Sequence, residues 1–114
     1  MTKAKPLTPL EHDAPACDAA LGRAFGLLGK RWNGLVVAVL GQGPLGFAEL
    51  RRRIGRISDS VLSDRLAELG EAGLIERCVT DTRPPGVQYG LTPAGAALVP
   101  ILEQVATWAG DHLG

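Results

Sequence analysis

Apolar residues recur at helical spacing from Cys17 onward: Cys17, Leu21, Ala24, Phe25 and Leu28 fall on one face. A first helix is predicted there, with Asp18 as its N-cap and Gly29 closing it in a left-handed conformation. Trp32, Leu35, Val36, Val39 and Leu40 mark a second helix, and Val37 and Ala38 make it apolar nearly all round. Such a helix belongs in the middle of a core. Gly41-Gln42-Gly43-Pro44 ends it. Phe47, Leu50 and Ile54 then define a short helix stopped by Gly55. Ser58 is a good N-cap for the next, whose inward face is Leu62, Leu66 and Leu69 and whose stop is Gly73.

Beyond Gly73 the period changes from about 3.6 to about 2. Residues 74–80 and 87–91 read as strands, and Pro84-Pro85-Gly86 between them can continue neither a helix nor a ladder. One two-stranded hairpin is too little sheet for a core of its own, so it must lean on helices or reach outward. Thr92 followed by Pro93 starts a last helix. Ala94, Leu98, Ile101, Leu102, Val105, Trp108 and Ala109 share one of its faces, and Pro100 inside it should produce a kink.

Two short helices joined by a turn, the first rich in arginine, have the layout of a helix-turn-helix, although a plain helical hairpin shows the same local pattern. The hairpin that follows decides for the former. The predicted fold is α+β, mostly α: a winged helix-turn-helix with a two-stranded wing and flanking N- and C-terminal helices. Residues 1–16, with three prolines, read as an arm, and residues 17–114 as one domain. The last helix has little core left to fill. Its stripe of Leu98, Leu102, Val105 and Trp108, with Leu21 and Phe25 of the first helix, is therefore expected to meet a second copy of the chain. Packing of the two helices within one chain is the other use of the same stripe.

At 114 residues, 46% hydrophobic and 21% charged, the chain suits one globular domain. It has no apolar run of membrane-spanning length, no signal-peptide core and only two cysteines, so a cytoplasmic protein with reduced thiols and no membrane partner is expected. His12 and His112 sit at opposite ends, with no metal-ligand spacing, nucleophile motif or phosphate loop, which points away from an enzyme and from any cofactor or metal. Net charge is zero, but its distribution is uneven. Between Lys30 and Arg65 seven basic residues face three acids, and the remainder carries the balancing negative charge. A localised phosphate-contacting surface or a solvated helix face would both produce this.

In the second helix of the motif, Ser60, Asp64, Ala67 and Glu71 point away from the leucine face, with Ser63 on its flank. Such helices read bases mainly through their N-terminal residues, which places Ser58, Ser60, Ser63 and Asp64 nearest a groove. Arg52 and Arg53 point off the apolar face of the preceding helix and fit as backbone clamps. Arg65 lies towards the buried edge, where a phosphate contact and a salt bridge both fit. Arg83 is the main cation of the wing tip. Cys78, in a wing strand, is expected to pack as a small hydrophobe.

The order LLGKRWNGLVVAVLGQGPLGFAELRRRIGRISDSVLSDRLAELGEAGLIER, then PPGVQYGLTPAG and a late tryptophan, resembles the HxlR family of bacterial transcriptional regulators, winged-helix relatives of the MarR group. The matching motifs are GK-x-W, F-x-E-L-x-R, I-S-x-x-x-L-S-x-R-L, E-x-G-L-I-x-R and Y-x-L-T-x-x-G, spread over about Cys17 to His112. The resemblance implies a homodimer built on the first and last helices and bound to a pseudo-palindromic operator in double-stranded DNA. It implies phosphate contacts at Lys30 and Arg31, and a small-molecule effector of unknown identity. Repression is the expected mode, because a small dimer over a promoter blocks polymerase without an activation surface. Cys17 stands where family members that sense oxidants or electrophiles hold their reactive thiol; a helix N-terminus favours the thiolate, whereas Asp18 and the apolar face favour an inert cysteine. Ser60, Asp64 and Gly86 depart from the basic or amide residues usual at their positions, which predicts modest, salt-sensitive affinity. The competing reading is a winged-helix protein-interaction module without specific DNA binding.

Overall fold

The computed structural model describes residues 14–114. Its elements are α1 (Ala14–Leu28), α2 (Asn33–Leu40), β1 (Leu45–Gly46), α3 (Phe47–Ile54), α4 (Asp59–Glu71), β2 (Ile75–Val79), β3 (Val87–Leu91) and α5 (Pro93–His112). They fall into two compact units, Met1–Arg31 and Trp32–Gly114. His12 and most of the predicted arm lie outside the described residues.

The first unit contributes α1. It begins at Ala14, ahead of the expected start, because Pro15 is tolerated in a first turn where no intrahelical N–H partner is needed. Asp18 is consequently inside the helix and does not cap it. Gly29 closes α1 by donating its N–H to the Phe25 carbonyl at 2.8 Å, without the expected left-handed backbone. The left-handed residue is instead Trp32, at φ 84, which stands as the N-cap of α2 and not within the helix. Leu21 and Phe25 are exposed.

The second unit is assembled around α2, which packs against α3, α4, α5 and β3. Asn33, Val36, Val37 and Leu40 are its buried residues. Leu35, expected inside, is half exposed at 52%, and Ala38 is also exposed, so the helix is central on one side only. Leu50 of α3, Ile57 and the leucines 62, 66 and 69 of α4 complete the core with Ile75.

Local chemistry fixes the ends of α4. The Ser58 hydroxyl accepts from Val61 N–H at 3.2 Å, as its capping role predicts. At the other end Leu74 N–H reaches the Leu69 carbonyl and Gly73 N–H the Gly70 carbonyl, both at 3.0 Å, with Gly73 left-handed at φ 80. That double closure satisfies the last carbonyls and turns the chain directly into β2.

The sheet holds a third strand that the alternation did not announce. β1 pairs with β3 through Leu45↔Tyr89 and Gly46↔Gln88, giving the antiparallel order β1-β3-β2. Only the β2–β3 hairpin, in register from Ile75↔Leu91 to Val79↔Val87, projects as the wing. α5 starts as predicted, with the Thr92 hydroxyl accepting from Gly95 N–H at 3.2 Å and Pro93 in its first turn. It runs unbroken through Pro100; the Ala96 carbonyl that loses its donor there belongs to an exposed residue, where water can replace it.

Candidate nucleic-acid interface

α3, the turn at Gly55–Ser58 and α4 form the helix-turn-helix, and the hairpin stands beside α4. On α4 the inward row Leu62, Leu66 and Leu69 is buried, which turns Ser60, Ser63 and Asp64 outward, all exposed. Ser58, whose hydroxyl caps the helix, lies 3.5 Å oxygen to oxygen from Ser60. The four residues assigned to a groove from sequence thus sit together at one exposed helix end.

The arginines are less available than their number suggests. On α3, Glu49 binds both Arg52 and Arg53, the latter at 2.8 Å, and Arg53 also donates to Gln42 at 3.4 Å. Hydrogen bonds from Arg53, then Arg52, hold the Glu49 carboxyl below the usual carboxylate range, so it stays charged beside them. Arg51 pairs with Asp59 at 3.1 Å, tying α3 to the first turn of α4. These pairs are solvent-exposed and weak, and a phosphate can exchange for the carboxylate at little cost.

Arg65 is placed differently. Its guanidinium is 3.1 Å from Glu68, its side chain is only 20% exposed, and its Nε is buried without a hydrogen bond. The Asn33 amide donates to the same Glu68 carboxylate at 3.3 Å, which links the start of α2 to α4. This position favours the salt-bridge reading of Arg65 over the phosphate contact. Lys30 and Arg31 are exposed in the first unit, after α1.

The wing tip is braced by hydroxyls. Thr80 N–H donates to the Gly86 carbonyl at 2.8 Å, Gly86 N–H to the Thr80 hydroxyl at 2.9 Å, and the Thr82 hydroxyl to the Pro84 carbonyl at 3.0 Å. Arg83 stands exposed at this tip. Along β2 only Ile75 is buried. Cys78, expected to be packed, is exposed, since the strand leaves the body after its first residue and its alternate positions face solvent.

Sequence reading passed over Arg77. Strand alternation puts it on the same face as Ile75, towards α4, and that signal was available. Arg77 is exposed and has no ion pair among the described residues, as is also true of Arg56 and Arg83. Among the described residues no three His, Cys, Asp or Glu side chains could hold a metal ion, and no helix is long and apolar enough to cross a membrane.

Comparison with known proteins agrees with this architecture. The family described as HxlR-like helix-turn-helix matches residues 27–114. The HTH-type transcriptional regulator YodB of Bacillus subtilis (strain 168) is 44% identical over 86 residues, 75% of this chain and 77% of its own. The structure of the reduced form of YodB superposes with a TM-score of 0.72 at 36% identity, covering 94% of this chain and 95% of that one. The redox regulator HypR in its oxidised form gives a TM-score of 0.74 at 30% identity, over 82% and 96% of the two chains.

Proposed function

Because the chain belongs to the HxlR-like helix-turn-helix family and is a DNA-binding transcriptional regulator, we propose that it acts as a homodimeric repressor on a pseudo-palindromic operator. The observation that carries this reading is the exposed end of α4, with Ser58, Ser60, Ser63 and Asp64, lying in one unit with a braced hairpin bearing Arg83. An α-helix fits the major groove through its N-terminal residues, and a rigid hairpin beside it reaches the adjacent backbone or minor groove. Arg52, Arg53, Lys30 and Arg31 contact phosphates; Ser60, Ser63 and Asp64 face bases.

Those roles separate in a salt titration. Arg52→Ala should weaken binding to all duplexes similarly and reduce the slope of log K against log salt by about 0.9, one phosphate's worth. Ser60→Ala should leave the slope alone and change which duplex a randomised library yields. An arginine variant with altered preference and an unchanged slope would reverse the assignment. No sequence-preferring complex even at low salt would favour the protein-interaction reading.

Control of binding is assigned to Cys17. It is the fourth residue of α1, in the helix proposed for the dimer interface, and the similar proteins include a redox regulator and a regulator described in its reduced form. Thiolates near a helix N-terminus are the reactive ones. Diamide treatment is expected to release wild-type protein from DNA and to leave Cys17→Ser bound. Cys78 is exposed, so Cys78→Ser serves as the control that should still respond. Release of both Cys17→Ser and wild type, or of neither, would pass control to another group or to a small ligand.

A further inference from the structure

Between α4 and the wing runs a groove of about 310 Å³ whose walls belong to the winged unit alone. Leu66 and Ile75 make its floor. Ser63, Arg77 and Tyr89 supply the polar groups, and Ala67 and Gly70 keep the helix wall low. A side chain added at Gly70 would meet only open space. We propose that this groove seats a backbone phosphate of the bound duplex, held by the Arg77 guanidinium with the Tyr89 hydroxyl.

The inference rests on the DNA-binding reading and adds a residue and a place to it. With α4 in the major groove and the wing tip over the next minor groove, one sugar–phosphate strand divides the two. That strand has to cross the gap between helix and hairpin, where the groove lies. The chemistry suits it. Arg77 is cross-strand from Tyr89 and shares its face, and a planar guanidinium matches phosphate oxygens with two parallel donors. Unlike Arg51, Arg52 and Arg53, Arg77 has no acid to displace among the described residues. The apolar floor fits the sugar beneath the phosphate. Glu76 also touches the rim, but strand alternation turns its side chain to the opposite face from Arg77.

The test uses the duplex that the full wild-type chain enriches from a randomised library, and the same duplex carrying a neutral methylphosphonate at each position in turn. Arg77→Ala should lower the salt slope by about 0.9, while Arg77→Lys keeps the slope because the charge remains. One methylphosphonate per half-site should weaken wild type and cost Arg77→Ala nothing further. Gly70→Gln, which fills the groove without touching charge and sits in open space, should lose affinity with an unchanged circular dichroism spectrum. A wild-type slope and wild-type methylphosphonate pattern in Arg77→Ala would overturn the phosphate seat while leaving DNA binding intact. Failure of wild type to enrich any duplex would remove the DNA-binding reading itself, a separate result.

Discussion

Glutamate at both Val105 and Trp108 is expected to convert the chain to monomers and to cost roughly a thousandfold in operator affinity, a mid-range value for joined binding modules. Ile101, Val105 and Trp108 follow one another at spacings of four and three, so they form one face of α5, and each is more than half exposed. A stripe of that size on a soluble surface marks an interaction site. In a two-fold dimer each substitution appears twice, so the double variant buries four carboxylates against apolar surface. Unpaired buried charge is prohibitive, and the interface opens instead. Stability of the single chain should hardly change, because the wild-type side chains are exposed. Leu102 is a poorer probe, since it is half-buried and its Cδ2 lies 4.0 Å from where a Cβ on Gly34 would stand. Sedimentation and a binding isotherm on the same samples check the idea. A double variant that remains dimeric would place the interface elsewhere.

The element order was legible because each element carries its own punctuation. Ser58, Gly73, Thr92 and Pro93 do in the structure what their types require, and the hairpin ends where Pro84-Pro85-Gly86 predicts. What failed had no local signal. α2 is too uniformly apolar for its sequence to reveal a phase: spacing predicts Leu35 inside, whereas Asn33 and Val37 are buried and Leu35 is exposed. β1 has two residues and exists only because β3 offers it a partner edge. The left-handed Trp32 runs against the preference of a bulky side chain, so its residue type gives no sign of it.

The exposed face of α4 was legible from its leucine spacing, whereas the pairing of the nearby charges was legible only in part. The excess of cations from Lys30 to Arg65 fits a phosphate-contacting surface or a solvated helix face alike, and Glu49 sits three and four residues before Arg52 and Arg53, a pairing that helical spacing does encode. The bridge from Arg51 to Asp59 crosses the turn and depends on how α3 meets α4, which no periodicity reports. Free positive charge therefore shifts to Arg56, Arg77 and Arg83, two of them on the hairpin side of the motif.

Gly95→Ala should be among the most damaging single-methyl changes available to this chain. In a helix interior that substitution ordinarily stabilises by about 1 kcal/mol. Here the sign reverses. Gly95 is buried in the first turn of α5, and a Cβ there would overlap the carbonyl oxygen of Leu74, with the Leu91 Cδ2 also only 3.2 Å away. The Leu74 carbonyl cannot move aside freely, because it accepts from Thr92 N–H at 3.0 Å while the Thr92 hydroxyl donates to the Gly73 carbonyl at 2.6 Å. Those bonds fasten the start of α5 to the turn that joins α4 to the wing. Relief of the overlap must break them or shift the hairpin relative to α4, at a net cost of about 3 kcal/mol, the upper end for overpacking. A melting temperature lower by roughly 15 °C is expected for a domain of this size. Gly110→Ala in the same helix meets nothing within 4 Å and should hold or raise the melting temperature. DNA binding should separate the two as well, since only Gly95 governs where the wing stands beside the recognition helix. A Gly95→Ala chain as stable as wild type, bound to the same duplex with the same affinity, would mean that the Leu74 turn yields at no cost and does not set the wing.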